Sequence, residues 1–129
     1  MKKIGCALLI FSVSSLVYGL EDAPRTREYE RCIDRANAVS EAILECVTQE
    51  YARQGKRLNA TYRNLLGSLN GDRRRQLIEI QRRWDKYTQA NCELFTNADD
   101  NASDRIRAAE CKLTARIERA VELEELAKY

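Results

Sequence analysis

The sequence predicts an all-α fold, a small antiparallel bundle of about four helices stapled by two disulfides. Three observations carry that expectation. Apolar residues recur at gaps of three, four or seven along most of the chain, which places them on one face of a helix. The single proline, Pro24, precedes all of these segments, and no alternating β-branched run suggests a strand. Beyond Cys6, four cysteines flank two turn-like segments, and an even number in a small exported domain reads as a disulfide framework.

Export is read from the first residues. Lys2 and Lys3 form a basic start, Ile4 to Val17 is apolar or small, and Val17-Tyr18-Gly19 offers small residues where a signal peptidase reads. Residues 1–19 are therefore expected to be a cleaved signal peptide, too short and wrongly flanked for a membrane anchor. Cys6 precedes most of the apolar run, the wrong side for a lipid-anchor cysteine. Residues 20–129 remain, a length suited to one domain. No later apolar stretch is long enough to span a bilayer.

The elements follow in order. Residues 27–36 predict a short first helix, closed by turn chemistry at Asn37 and Ser40. A long second helix is expected from about Ser40 to Leu66, with Ile43, Val47, Tyr51, Leu58, Tyr62 and Leu65 on one stripe. Gly55 lies in its middle, where glycine costs about 1 kcal/mol against alanine and favours a local bend. Gly67 to Asp72 is the clearest break, with Gly67 suited to a helix end and Asp72 to the next N-cap. The third helix is expected from Asp72 to Phe95, with a stripe of Leu77, Ile80, Trp84, Tyr87 and Leu94. After a polar, acidic segment around Asp99 and Asp100, the fourth runs from Ser103 to Ala127, burying Ile106, Leu113, Ile117, Val121 and Leu123.

The cysteines test this layout. In one straight helix Cys32 and Cys46 would lie about 21 Å apart, far beyond disulfide reach. A turn at 37–40 brings them face to face. Cys92, near the end of the third helix, and Cys111, about two turns into the fourth, are related in the same way. Of the three connectivities open to four cysteines, this geometry favours Cys32–Cys46 with Cys92–Cys111.

Composition narrows the function classes. The chain has 22 basic and 20 acidic residues. The two lysines of the signal account for the difference, so the mature domain is formally neutral. Nucleic acid is a poor partner for such a surface, since phosphate binding needs a basic surplus. There is no histidine, which removes Ser-His and Cys-His nucleophile pairs. With no Cys-x-x-Cys pair either, zinc is not expected. No Gly-rich phosphate loop is present, so neither cofactor nor catalysis is expected. Carboxylate pairs such as Glu41 with Glu45 and Glu118 with Glu122 read as solvated helix faces.

Two clusters are less ordinary: Glu50-Tyr51 followed by Leu58-Asn59-x-x-Tyr62, and Gln81-x-x-Trp84-x-x-Tyr87. At helical spacing they read as core packing between the second and third helices. Asn59 and Gln81, at the boundary, are expected to hydrogen-bond across it. Arg73, Arg74, Arg75, Arg82 and Arg83 read as a solvated face paired to neighbours such as Glu79 and Asp85. Asn59-Ala60-Thr61 and Asn101-Ala102-Ser103 match the glycosylation triplet, which the bacterial look of the signal discounts.

Taken in order, these elements resemble the bacterial exported family of LprI-like lysozyme inhibitors. The resemblance spans about Cys32 to Leu126. It rests on Cys32-x3-Ala36, Cys46-x3-Glu50-Tyr51, Leu58-Asn59-x-x-Tyr62, then Leu77, Gln81, Trp84, Tyr87 and Cys92, and last Cys111, Arg119 and Leu123. The resemblance implies a helical, disulfide-bonded envelope domain that inhibits lysozyme and so protects peptidoglycan. Two features depart from the family pattern. Thr88-Gln89 stands where the family usually carries Arg-Asp, and Asn97 to Ser103 replaces a Gly-rich segment.

The resulting expectation is a periplasmic inhibitor that blocks the cleft of lysozyme or a related peptidoglycan hydrolase, or an immunity protein against such an enzyme. Two loops are candidate plugs: Ser68, Leu69 and Asn70 in one, Asp99 and Asp100 in the other. The second is acidic and suits a basic target. The alternative is a non-catalytic structural or adaptor module of the envelope.

Overall fold

The computed structural model describes residues 24–96 and 101–129. The expected signal peptide and the Asp99–Asp100 pair lie outside them. Four helices follow one another: α1 Arg27–Ala36, α2 Ser40–Ser68, α3 Gly71–Glu93 and α4 Ala102–Leu126. No helix among the described residues is long and apolar enough to cross a membrane.

Helix α1 begins at Thr26, whose side chain accepts a hydrogen bond from the Tyr29 N–H at 3.2 Å. Glu28 and Glu30 in its first turn and Arg35 in its last oppose the helix dipole. The chain reverses through two left-handed residues, Asn37 (φ 46°) and Ala38 (φ 61°). Asparagine tolerates that conformation; alanine is strained by it. The reversal sets Cys32 opposite Cys46, Cα atoms 5.6 Å apart, and they form the first disulfide. Cys92 and Cys111 form the second across α3 and α4, also at 5.6 Å.

Successive helices run antiparallel, which makes α2 and α4 parallel. Their cross-links Glu41–Arg105, Tyr51–Arg116 and Arg57–Glu124 advance together along both helices. This pair forms the largest interface of the fold, with α1 packed on α2 and α3 on α4. Two apolar clusters lie along it. Val47, Leu113 and Ile117 form one, against Tyr29, Ile43, Tyr51 and Ala109. Leu58, Leu65, Leu77, Ala120 and Leu123 form the other, against Tyr62, Leu66, Leu69 and Trp84.

The expected stripe of α2 faces inward, and Leu113, Ile117 and Leu123 of α4 are fully buried. The stripe of α3 is corrected. Ile80 is 44 % exposed, Tyr87 67 % and Leu94 80 %; the inward positions are Leu77, Gln81, Trp84, Thr88 and Cys92. The register 77, 81, 84, 88, 92 is also helical. It turns the face by about one residue from the purely apolar choice, because α3 packs chiefly on one neighbour. Trp84 is partly buried, not enclosed between α2 and α4 as a core tryptophan would be.

Helix ends also shift. Asn70, not Asp72, caps α3 by accepting from the Arg73 N–H at 3.2 Å. α4 starts at Ala102, one residue before the expected Ser103, and Asn101 caps it through the Asp104 N–H at 3.0 Å. α2 starts behind Val39 with no side-chain cap and continues through Gly67 to Ser68. Gly55 does not interrupt α2. A β-carbon there would come within 2.5 Å of Arg116 Nη1, so the glycine makes room for an arginine crossing from α4.

Candidate functional site

The motif residues separate into two structural settings. Glu50 belongs to the first. It is fully buried, and its two oxygens accept from the Thr26 N–H (2.9 Å), the Thr26 hydroxyl (2.6 Å), Arg53 Nε (2.8 Å) and Gln54 Nε2 (2.7 Å). It therefore ties the start of α1 to α2. Burial alone would raise its pKa, but the hydrogen bonds from Thr26, Gln54 and Arg53 outweigh it and hold the carboxyl below its usual range. Nearby, Glu110 of α4 accepts from Tyr29 Oη and Arg25 Nη2. Burial and the bond to Glu110 push the Tyr29 phenol up to about 12. These groups are structural clamps: every polar atom of Glu50 is committed inside the protein.

Tyr51 sits at the border. The Arg116 guanidinium carbon lies 3.4 Å from its ring centroid, and Arg116 Nη1 donates to the Tyr51 carbonyl at 3.2 Å. The same arginine then lines a groove of about 380 Å³ between α2 and α3, with Leu58, Asn59, Tyr62, Gln81 and Trp84. This is the second setting, and it unites motif residues from two helices. On the far side of Gln81, Arg119 of α4 is 4 % exposed. Its Nε donates to Gln81 Oε1 at 2.9 Å, its Nη1 to Glu122 at 2.6 Å, and its guanidinium lies 6.0 Å from the Trp84 ring. Arginine can only donate, so it fixes which end of the Gln81 amide faces away from it.

Neither Asn59 nor Gln81 makes the expected side-chain hydrogen bond across the interface of α2 and α3. Gln81 bonds to α4 instead, and among the described residues the Asn59 side chain has no hydrogen-bond partner. Tyr87 lies outside this groove and lines a smaller cleft with Thr88 and Asn91 between α3 and α4, which Trp84 and Arg119 also border. Of the basic residues that open α3, Arg82 and Arg83 both bind Glu79; Asp85 instead accepts from Gln89 at 3.0 Å. The arginines hold the Glu79 carboxyl down at about 2.

The two candidate loops differ in kind. Ser68, Leu69 and Asn70 make a minimal connection. Ser68 Oγ donates to the Leu65 carbonyl at 2.8 Å, Leu69 packs on the apolar cluster and Asn70 is the cap. The acidic loop lies at the opposite end of α3, whose 23 residues span about 34 Å. Its described flanks are anchored by the Cys92–Cys111 disulfide and by the Asn101 cap. The sequence did not flag Arg119 and Arg116 as organisers of the groove, although Arg119 stood in the motif set. Nor did it flag Gln54 and Asp104, both buried.

Fold and site define a disulfide-stapled helical scaffold whose polar side chains tie its helices together. Among the described residues there is no group of His, Cys, Asp and Glu able to hold a metal ion. The family model described as lysozyme inhibitor LprI matches residues 32–123. The matched span opens on the first stapled cysteine and closes on Leu123 of the apolar cluster. The chain belongs to this family. No curated protein and no solved structure matches it.

Proposed function

We propose that the chain is exported, sheds residues 1–19 and acts in the bacterial periplasm as a protein inhibitor of lysozyme or a related peptidoglycan hydrolase, without catalysis of its own. The observation that carries this reading is the family match over residues 32–123. Two disulfides and the parallel α2–α4 core supply a rigid scaffold, which lowers the ordering cost of binding. Disulfides also fit an oxidising compartment.

The docking element is the acidic loop, with Asp99 and Asp100 meeting basic groups around the hydrolase cleft. Ser68, Leu69 and Asn70 are committed to local structure at the other end of α3, so one enzyme cleft cannot take both loops. The test is lysis of peptidoglycan by a panel of lysozymes in the presence of the mature, oxidised protein. Inhibition is expected for at least one enzyme, weakened by salt because exposed charges are screened. Changing Asp99 and Asp100 together to asparagine should weaken it by roughly tenfold. Full inhibition by that variant would move the contact to the Ser68–Asn70 end or to a helix face. Failure to inhibit or capture any hydrolase would leave a structural or adaptor module of the envelope. A captured hydrolase encoded beside this gene would make the protein an immunity factor.

A further inference from the structure

The groove between α2 and α3 divides its polar groups in two. The charged ones are already engaged. Arg82 holds Glu79 through two bonds of 2.9 and 2.8 Å, Arg116 is bound to the Tyr51 carbonyl and hydroxyl, and Asp85 accepts from Gln89. The neutral ones are not. The Asn59 amide, the Tyr62 hydroxyl, the Trp84 indole N–H and Gln81 Nε2 have no hydrogen-bond partner among the described residues. Gln81 cannot turn to satisfy itself, because Arg119 holds its carbonyl oxygen from behind.

A ligand for these groups must be neutral, must both donate and accept, and must offer an apolar face to Trp84 and Tyr62. A charged ligand would have to displace the contacts that Arg82, Arg116 and Asp85 already make with Glu79, Tyr51 and Gln89. A pyranose ring carrying hydroxyl and acetamido groups meets all three conditions: its axial C–H face packs on an aromatic ring while amide side chains bond its edge. The groove's volume of about 380 Å³ lies in the range of small-ligand sites. We infer that the Asn59–Tyr62–Gln81–Trp84 groove is a saccharide subsite that takes a neutral N-acetylated amino sugar. Asn59, Gln81 and Tyr62 bond the sugar, Trp84 stacks on it, and Arg119 is a positioning residue that orients the Gln81 amide. The inference rests on the chemistry of the groove and needs no hydrolase partner.

Trp84 is the only tryptophan in the chain and borders both this groove and the α3–α4 cleft of Tyr87, so its fluorescence reports binding and the variants below assign it to one of the two. The experiment titrates the mature, oxidised protein with tri-N-acetylchitotriose, using cellotriose, which lacks the acetamido groups, as comparison. A saturable change is expected with the acetylated sugar and a weaker one with cellotriose. Asn59→Ala and Gln81→Ala should each weaken binding roughly three- to tenfold, the effect of one neutral hydrogen bond. Their thermal unfolding midpoints should stay close to wild type. Tyr87→Ala, outside the groove, should bind like wild type. Loss of the Gln81→Ala effect in an Arg119→Lys background would support the positioning role. No saturable change, an equal response to both sugars, or undiminished binding by Asn59→Ala would overturn the proposal. So would Asn59→Ala weakening hydrolase capture in a protein that binds no sugar, which would make the groove a protein-docking face.

Discussion

Helices α1 and α3 flank the same α2–α4 pair, yet they are held in opposite ways. The shorter one, α1, is tied down by polar clamps reaching into the protein: Thr26 on Glu50, and Arg25 and Tyr29 on Glu110. A disulfide from its middle turn, at Cys32, fastens it onto α2. The longer one, α3, packs chiefly on α4, with a disulfide near one end and the Gln81–Arg119 bond midway. It leaves Ile80, Tyr87 and Leu94 outside and unpaired neutral groups along its α2 side. Buried polar groups without partners are costly, and the α1 side surrounds the buried Glu50 carboxylate with donors, leaving Arg25 Nε and Arg53 Nη2 unpaired. The α3 side keeps its unpaired groups in an open groove, where water or a ligand can serve them. Within this fold, one flank is closed by polar clamps and the other leaves an open groove.

The largest expected effect sharpens that contrast. Leu113 is fully buried between α2 and α4, so Leu113→Ala should cost about 3 to 5 kcal/mol. Leu94, 80 % exposed on α3, should change stability by less than about 0.5 kcal/mol when cut to alanine. Denaturant midpoints of the oxidised variants decide it. A cost above 1 kcal/mol at Leu94 would mean that the outer face of α3 is covered in solution, and the comparison would fail.

A smaller effect tests the clamp. Glu50→Gln places an amide N–H among the four donors that now meet a carboxylate, and should cost about 2 to 3 kcal/mol. Because the native pKa of Glu50 lies below the ordinary value of 4.5, the unfolded chain takes up its proton first. Its contribution is complete well above pH 4.5 and is lost as pH falls through 4.5 towards the native value. Glu124, lowered by its bond from Arg57, acts in the same direction. Wild type should therefore lose stability in that window and Glu50→Gln should lose less. Parallel pH profiles would show that Glu50 carries no linkage and that the clamp is weaker than its geometry implies.

Much of this was legible in the sequence, for identifiable reasons. Helix number, the apolar stripe of α2 and both disulfides follow from local spacing, and local spacing is preserved on folding. The face of α3 was misplaced because two helical registers fit its sequence. The one with more apolar residues was not the one that packs; Thr88 and Cys92 face inward while Tyr87 does not. Asn70 lost to Asp72 as the expected cap because the two lie two residues apart and both types cap well. Glu50 and Arg119 were visible as motif letters, but their roles depend on Thr26 and Gln81, distant in the chain, which periodicity cannot supply.

The smallest expected effect lies where the two flanks meet. Arg116 leaves α4, crosses over Gly55, binds Tyr51 beside the first apolar cluster and lines the groove next to α3. Gly55→Ala pits two terms against each other. Alanine should favour the helix by about 1 kcal/mol, while its β-carbon, 2.5 Å from Arg116 Nη1, displaces the guanidinium from the Tyr51 carbonyl and hydroxyl. The obstructing atom is the tip of a flexible side chain, so the arginine moves and α2 does not. The net change in stability should stay within about 1 kcal/mol, far below Leu113→Ala. The signature of the crossing is non-additivity. In Arg116→Ala the obstacle is gone, and Gly55→Ala should then stabilise by the full helix-propensity gain. A double-mutant cycle should give a coupling of about 1 kcal/mol between the two positions. Additive effects would mean that Gly55 is there for some reason other than the arginine, and that the two flanks are not joined through Arg116.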